Sequence, residues 1–161
     1  MGPGGSPYVV ASQLPQYGPP AMISLATSAQ QDQACLDATE EMDGFLRGRY
    51  GNGTGQPFEI VSWGNDLTKW TAYIAINNIA ELIGYAPQAG ADVNLKTHYY
   101  RAVGWPDKPG TGWGPGIQRQ SIHPDITPMV PIGSNPNADI PQVITSQPRG
   151  WNRRLGYPRT G

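Results

Sequence analysis

The chain has 161 residues, a formal net charge of −1 and only 14 % charged residues, where about a quarter is usual. No apolar run is long enough to span a bilayer, and Met1 to Ser6 offers neither the basic stretch nor the apolar core of a secretory signal. The single cysteine, Cys35, excludes an intramolecular disulfide framework and a cysteine-cluster metal site.

The 21 glycines and 17 prolines crowd into residues 1–20 and 106–161. The composition therefore predicts a mainly α protein: an N-terminal arm at 1–20, a small three- to four-helix core at 21–105, and an extended C-terminal arm at 106–161. Charge divides along the same line. Residues 21–105 carry nine acids and five bases, whereas residues 106–161 carry three acids and six bases. Arg149, Arg153, Arg154 and Arg159 stand at the very end with no acid among them. An acidic body with a basic tip suggests a tail that docks on something else.

In chain order, Tyr8 to Ala11 is apolar and Ser12 can cap a short turn through Tyr17. Gly18-Pro19-Pro20 stops that turn, and the prolines suit the first turn of a short helix over Pro20 to Ala26. Ser28 is an N-cap candidate for a long helix at about 29–49. There Cys35, Ala38, Met42, Phe45, Leu46 and Arg49 recur at helical spacing, and Gln33, Asp37, Glu40, Glu41 and Asp43 lie mostly off that stripe. Gly51-Asn52-Gly53-Thr54-Gly55 ends it. Pro57 to Ser62 reads as extended. Asn65 or Asp66 can cap a second long helix at about 66–84, with Leu67, Trp70, Ile74, Asn77, Asn78 and Glu81 on one line and Tyr73, Ile76, Ala80 and Ile83 on the next. A helix this apolar is buried on two sides, by its own domain and often by a neighbour. A third helix at about 91–104 carries Val93, Tyr100 and Val103 on a face and ends at Trp105-Pro106.

Beyond Pro106 no period survives. Gly110 to Gly116 alternates glycine with Thr, Trp and Pro in the manner of a loop, and short β-capable pieces follow at Ile126-Thr127, Met129-Val130 and Val143-Ile144-Thr145. A loop of this length is unusual inside one domain, so the segment reads as an arm lying on another chain. The energetics agree: a core of this size gains only about 3–5 kcal/mol, while ordering each arm residue costs ~1–2 kcal/mol of backbone entropy. Association of copies, with arms packed on neighbours, answers both deficits.

Chemistry-bearing groups are sparse. His98 and His123 have no ligand partner at metal spacing and read as structural or surface residues. Cys35, on an apolar stripe, reads as a buried inert thiol. Asp37, Glu40, Glu41 and Asp43 point in different directions on a helix and read as a solvated face or an inter-subunit contact. The Gly110–Gly116 run matches no phosphate-loop pattern. The reading is of a protein that is not an enzyme and needs no cofactor, with no catalytic, cofactor or metal residues. Arg149, Trp151, Arg153 and Arg154 interleave base and aromatic as single-strand binders do, so a small nucleic-acid-binding helical module is the alternative. Arg and Trp are equally the residues of protein hot spots, and a pI near 6.0 favours a protein groove.

Four stretches resemble a known family. Ala11-Ser12-Gln13-Leu14-Pro15-Gln16-Tyr17-Gly18 is similar to an opening short helix ending in aromatic-Gly. Ala38 through Met42-Asp43-Gly44-Phe45-Leu46-Arg47-Gly48-Arg49-Tyr50 resembles the end of a long helix, Leu67 to Leu82 an apolar second helix, and Tyr99-Tyr100-Arg101-Ala102-Val103-Gly104-Trp105 a third. Arg149 to Tyr157 is similar to a basic-aromatic C-terminal tag. Together these resemble the head–tail adaptor (connector, neck) proteins of long-tailed phages, in particular their Mu-like branch. The Gly-rich insert before Pro57, the early stop at Pro106 and the arm 106–148 depart from the family pattern.

The resemblance implies a structural virion protein of the neck at the portal vertex, assembled in the host cytoplasm. Copies would form a ring, usually a dodecamer, that binds the portal protein above and a neck, stopper or tail-terminator protein below, with genomic DNA passing through the lumen without specific binding and no membrane involved. Arg149, Trp151, Arg153, Arg154 and Tyr157 would be the portal-docking tip. Met42, Phe45, Leu46, Leu67, Trp70, Ile74, Tyr100 and Trp105 would pack the core or the inter-subunit contact.

Overall fold

Helical periodicity accounts for most of what a computed structural model of the chain contains. It describes residues 5–50, 60–85 and 93–128. The chain divides into two units, Met1–Met129 and Val130–Gly161, and every described residue belongs to the first. The element order is a short 3-10 helix (Ala11–Gln16), α1 (Pro20–Ile23), α2 (Ser28–Tyr50), β1 (Ile60–Trp63), α3 (Asn65–Leu82), α4 (Val93–Val103), α5 (Trp113–Gln118) and β2 (Ile126–Pro128). The fold is mainly α.

The cap of α2 lies one residue earlier than the sequence suggests. The Thr27 hydroxyl accepts from the Gln30 amide at 3.3 Å, and the Gln30 side-chain oxygen accepts from the Thr27 amide at 2.8 Å. These two bonds form a reciprocal capping box, so Ser28 is already helical. Gln31 closes the preceding helix by donating to the carbonyls of Ile23 and Ala26, both at 3.0 Å. Gly64 occupies the cap position of α3, and Asp66 accepts from the Leu67 amide at 2.7 Å.

α3 is the central helix. It packs on α2, on α4, on α1 and on the 3-10 helix, and ten of its residues, from Leu67 to Ala80, are buried. Both of its apolar sides are thus covered largely by its own chain, where the sequence suggested that a neighbour covers one of them. α1, the 3-10 helix and α4 supply that cover.

Much of what reads as arm is interior. Tyr8, Val9 and Leu14 are fully buried in the core. The Tyr8 amide donates to the Thr39 hydroxyl at 3.1 Å, the Trp63 indole donates to the Tyr8 carbonyl at 3.2 Å, and the Tyr8 and Trp63 rings meet edge to face at 5.2 Å. At the other end the compact unit runs to Met129, so the boundaries expected at residues 20 and 105 fall inside it.

The reason lies in α5. Trp-Gly-Pro-Gly-Ile-Gln has the composition of a turn, and its helix is imposed by packing. A Cβ at Gly114 would sit 2.7 Å from the Phe45 ring and one at Gly116 would sit 2.5 Å from Ile122. Only bare backbone lets α5 lie this close to α2. Trp113 and Ile117 then enter the core. The turn that delivers α5 uses Gly104 at φ +110° and Gly112 at φ +118°, left-handed conformations that favour glycine. A Cβ on Gly112 would meet the Gly104 backbone at 2.7 Å.

β1 and β2 pair antiparallel, with Ile60 opposite Pro128, Ser62 opposite Thr127 and Trp63 opposite Ile126, and with an irregularity between Ile60 and Ser62. Both strands fall where the sequence predicts extended chain. Among the described residues no helix is long and apolar enough to cross a membrane.

Candidate functional site

Of the residues expected to pack the core or a subunit contact, Met42, Leu46, Leu67 and Ile74 are wholly buried in this chain's own core. Phe45 and Trp70 are half-buried against it. Tyr100 and Trp105 are also half-buried, with their rings 5.3 Å apart. The expected docking residues Arg149, Trp151, Arg153, Arg154 and Tyr157 lie outside the described residues.

Asp43 departs from the solvated-face reading. It is fully buried, accepts a hydrogen bond from the Tyr8 hydroxyl, and meets Arg47 at 3.6 Å. Burial and that bond push the Tyr8 phenol well above its ordinary range. Cys35 is buried as expected, and burial together with nearby Asp32 raises its thiol to about 12, which keeps it protonated and unreactive. His123 meets Arg49 at 2.8 Å through Nδ1, and Arg49 also donates to the Ile122 carbonyl at 2.7 Å. These contacts hold the chain after α5 against the end of α2. Among the described residues no group of three or more His, Cys, Asp or Glu is arranged to hold a metal ion.

Among the described residues, two surfaces stand out. The first is an apolar groove between α2 and the C-terminal half of α3, about 360 Å³ in volume, lined by Ala29, Gln30, Gln33, Ala34, Asp37, Asn78 and Leu82. Leu82 is 57 % exposed and Leu25, just before α2, is 67 % exposed. Asp37 is the acid among its lining residues, and Glu41 and Glu81 lie within electrostatic reach of Tyr99 on α4. Gln33 donates to Asp37 at 2.7 Å and Asn77 donates to Glu81 at 3.1 Å. Half-buried Glu41 lies one turn beyond Asp37 and is raised above its ordinary value by burial and by Glu81. Neither Glu41 nor Glu81 has an ion pair among the described residues.

The second surface is aromatic and cationic. Tyr73 on α3 and His98 on α4 stack at 4.4 Å and 24°. Trp70 adjoins Tyr73 at 5.6 Å and stacks on Trp113 at 6.0 Å, while Tyr17 meets Tyr73 edge to face at 6.3 Å. The Lys69 ammonium lies 5.3 Å from the Trp70 ring centre and 6.0 Å from that of Tyr73. Arg101 follows His98 by three residues on α4 and is exposed. Burial above all, and then the charges of Arg101 and Lys69, lower the His98 pKa.

Sequence reasoning did not single out the groove or this patch. Leu82 was the available signal, an outward-facing leucine at the end of an apolar helix. Comparison of the chain with known protein families, with curated proteins and with solved structures finds no match in any of the three.

Proposed function

We propose that this chain is a structural virion protein, a head–tail adaptor whose copies form a ring that binds the portal and joins the DNA-filled capsid to the tail. The carrying observation is the open groove between α2 and α3. A small unit that encloses Met42, Leu46, Leu67 and Ile74 completely nevertheless leaves Leu82 to solvent on an apolar groove that Asp37 also lines. An apolar groove between two helices is a place where another chain's apolar side chains can seat. The likeness of four sequence stretches to neck proteins supports the same reading.

In this proposal Arg149, Trp151, Arg153, Arg154 and Tyr157 dock on the portal, Trp151 by buried area and the arginines by charge-assisted bonds. The test is a pair of measurements. Electron microscopy of the purified chain should show closed rings. Deletion of residues 149–161 should leave helicity intact and abolish attachment to portal-bearing heads. Normal docking by the truncated chain would remove the tip from this role. Tip-dependent DNA binding that falls steeply with salt, without rings, would favour the nucleic-acid module.

A further inference from the structure

The groove between α2 and α3 differs along its length. Its α2 side runs from Ala29 through Ala34 to Asp37, and its α3 side holds Asn78 and Leu82. At 1.5 Å per residue the α2 side is ~12 Å long, a little over two helical turns. Ala29, Ala34 and Leu82 supply apolar surface, and Asp37 closes one end. Glu40 and Glu41 follow Asp37 by three and four residues, the spacing that keeps side chains on one side of a helix. Carboxylates therefore stand at that end and just past it.

The two lining helices bring no cation to them. α2 carries no base before Arg47, and α3 none beyond Lys69. Among the described residues Asp37 has a neutral partner, Gln33, at 2.7 Å, which leaves its charge uncompensated.

The shape selects the kind of chain that fits. Away from the helix ends, the backbone groups of α2 and α3 are bonded within each helix. The groove thus offers side chains and no ladder to an extended strand. A third helix lying along two packed helices meets such a groove with apolar residues at i, i+4 and i+7. Two turns of groove take two or three of these anchors.

We propose that the groove seats an amphipathic helix of another protein, its apolar anchors on Ala34 and Leu82 and its lysines or arginines beside Asp37, Glu40 and Glu41. The inference rests on the reading of the groove as a protein contact and names the chemistry of the partner. Burial and then Glu81 oppose the charge of Glu41, and a cation delivered by the partner favours that charge. An acidic helix with the same apolar pattern would be repelled by Asp37, so the carboxylates select the partner by sign.

Two labelled synthetic helices serve as probes. Both carry leucine at i, i+4 and i+7 on an alanine-rich helix. One has arginine at the flanking positions and the other has glutamate there. Fluorescence anisotropy measures their binding to the full-length chain, and circular dichroism reports the helicity of each variant. The arginine probe should bind the wild type roughly tenfold or more tightly than the glutamate probe, and salt should narrow the difference. Leu82→Asp should weaken the arginine probe by roughly tenfold. Asp37→Lys with Glu40→Lys should reverse the preference, so that the glutamate probe binds better. All three positions are exposed, so wild-type helicity is expected. Leu82→Ala and Asp37→Asn cover a variant that fails to fold, with effects of the same sense and smaller size.

No binding of the arginine probe, equal binding of the two probes, or binding that Leu82→Asp leaves unchanged overturns the proposal. Self-association of the wild type that Leu82→Asp abolishes also overturns it, because a second copy then fills the groove. Rings and portal docking without probe binding remove this partner and leave the adaptor reading. Probe binding without rings removes the adaptor reading and leaves the partner.

Discussion

The Tyr8 hydroxyl donates to the carboxylate of buried Asp43, across 35 residues of sequence. This bond fastens the N-terminal segment to the middle of α2. Bonds of this charge-assisted kind contribute about 1.5–3 kcal/mol. Tyr8→Phe should lower unfolding stability by that amount in urea titrations, with the slope unchanged. Arg47 is 58 % exposed at its side chain, so Arg47→Ala should cost less, under ~1 kcal/mol. If the two substitutions prove equal, the phenol is not the stronger tie.

Two glycines near the α2–α5 contact should respond in opposite ways. Gly44 lies inside α2 with nothing within 4 Å of an added Cβ, so Gly44→Ala should stabilise by about 1 kcal/mol through helix propensity. Gly114→Ala would drive a methyl against Phe45 at 2.7 Å and should destabilise by about 1–3 kcal/mol. Thermal unfolding of the two single variants, read side by side, decides whether α5 depends on that close approach.

Core truncation gives a third measure. Met42 and Leu46 of α2 are wholly buried, and either changed to alanine should cost about 2–5 kcal/mol. A loss below ~1 kcal/mol would mean that the expected packing residues face solvent.

Glu41 carries a pH signature. Its folded pKa lies above the unfolded value because burial and Glu81 oppose its charge. The folded state therefore holds the proton more tightly, and the associated stability is present at low pH and lost as pH rises through the folded value. Glu41→Gln should raise Tm at pH 7, and the advantage should vanish below the ordinary carboxylate range near pH 4. A constant advantage at every pH would refute the electrostatic origin.

His98 has the opposite sense. Burial, Arg101 and Lys69 hold its pKa below the ordinary value of about 6.5. The stability linked to neutral His98 is present above that value and declines as pH falls through it. NMR titration should place the His98 imidazole below 6.5, and Arg101→Gln should shift it upward.

The long helices were legible in the sequence because Met42, Leu46, Leu67 and Ile74 recur at helical spacing, and burial follows that spacing directly. β2 was legible from the short β-capable piece Ile126-Thr127, and β1 from the extended connection over Pro57 to Ser62. Asp43 was not, because its position on α2 says nothing of the segment around Tyr8 that covers it. α5 was not, because Trp113 to Gln118 has turn composition, and only contact with Phe45 and Ile122 makes it helical. The candidate surfaces were half legible. The acids of α2 were visible as a face open to solvent or to a subunit, but the groove that Asp37 lines needs α2 and α3 in place.

The two-strand ribbon stands where the chain leaves its compact unit. Any tension on the residues after Pro128 enters the helices through the β1–β2 ladder. Its outermost rung sets Ile60 against Pro128, a residue with no N–H to share, and is mechanically the weakest. Behind it Gly64 donates to the Asp125 carbonyl at 2.7 Å, and Arg49 grips Ile122 and His123. The fold thus has a graded anchor against pulling: a rung that peels early, then firmer grips that shield the helices from the load.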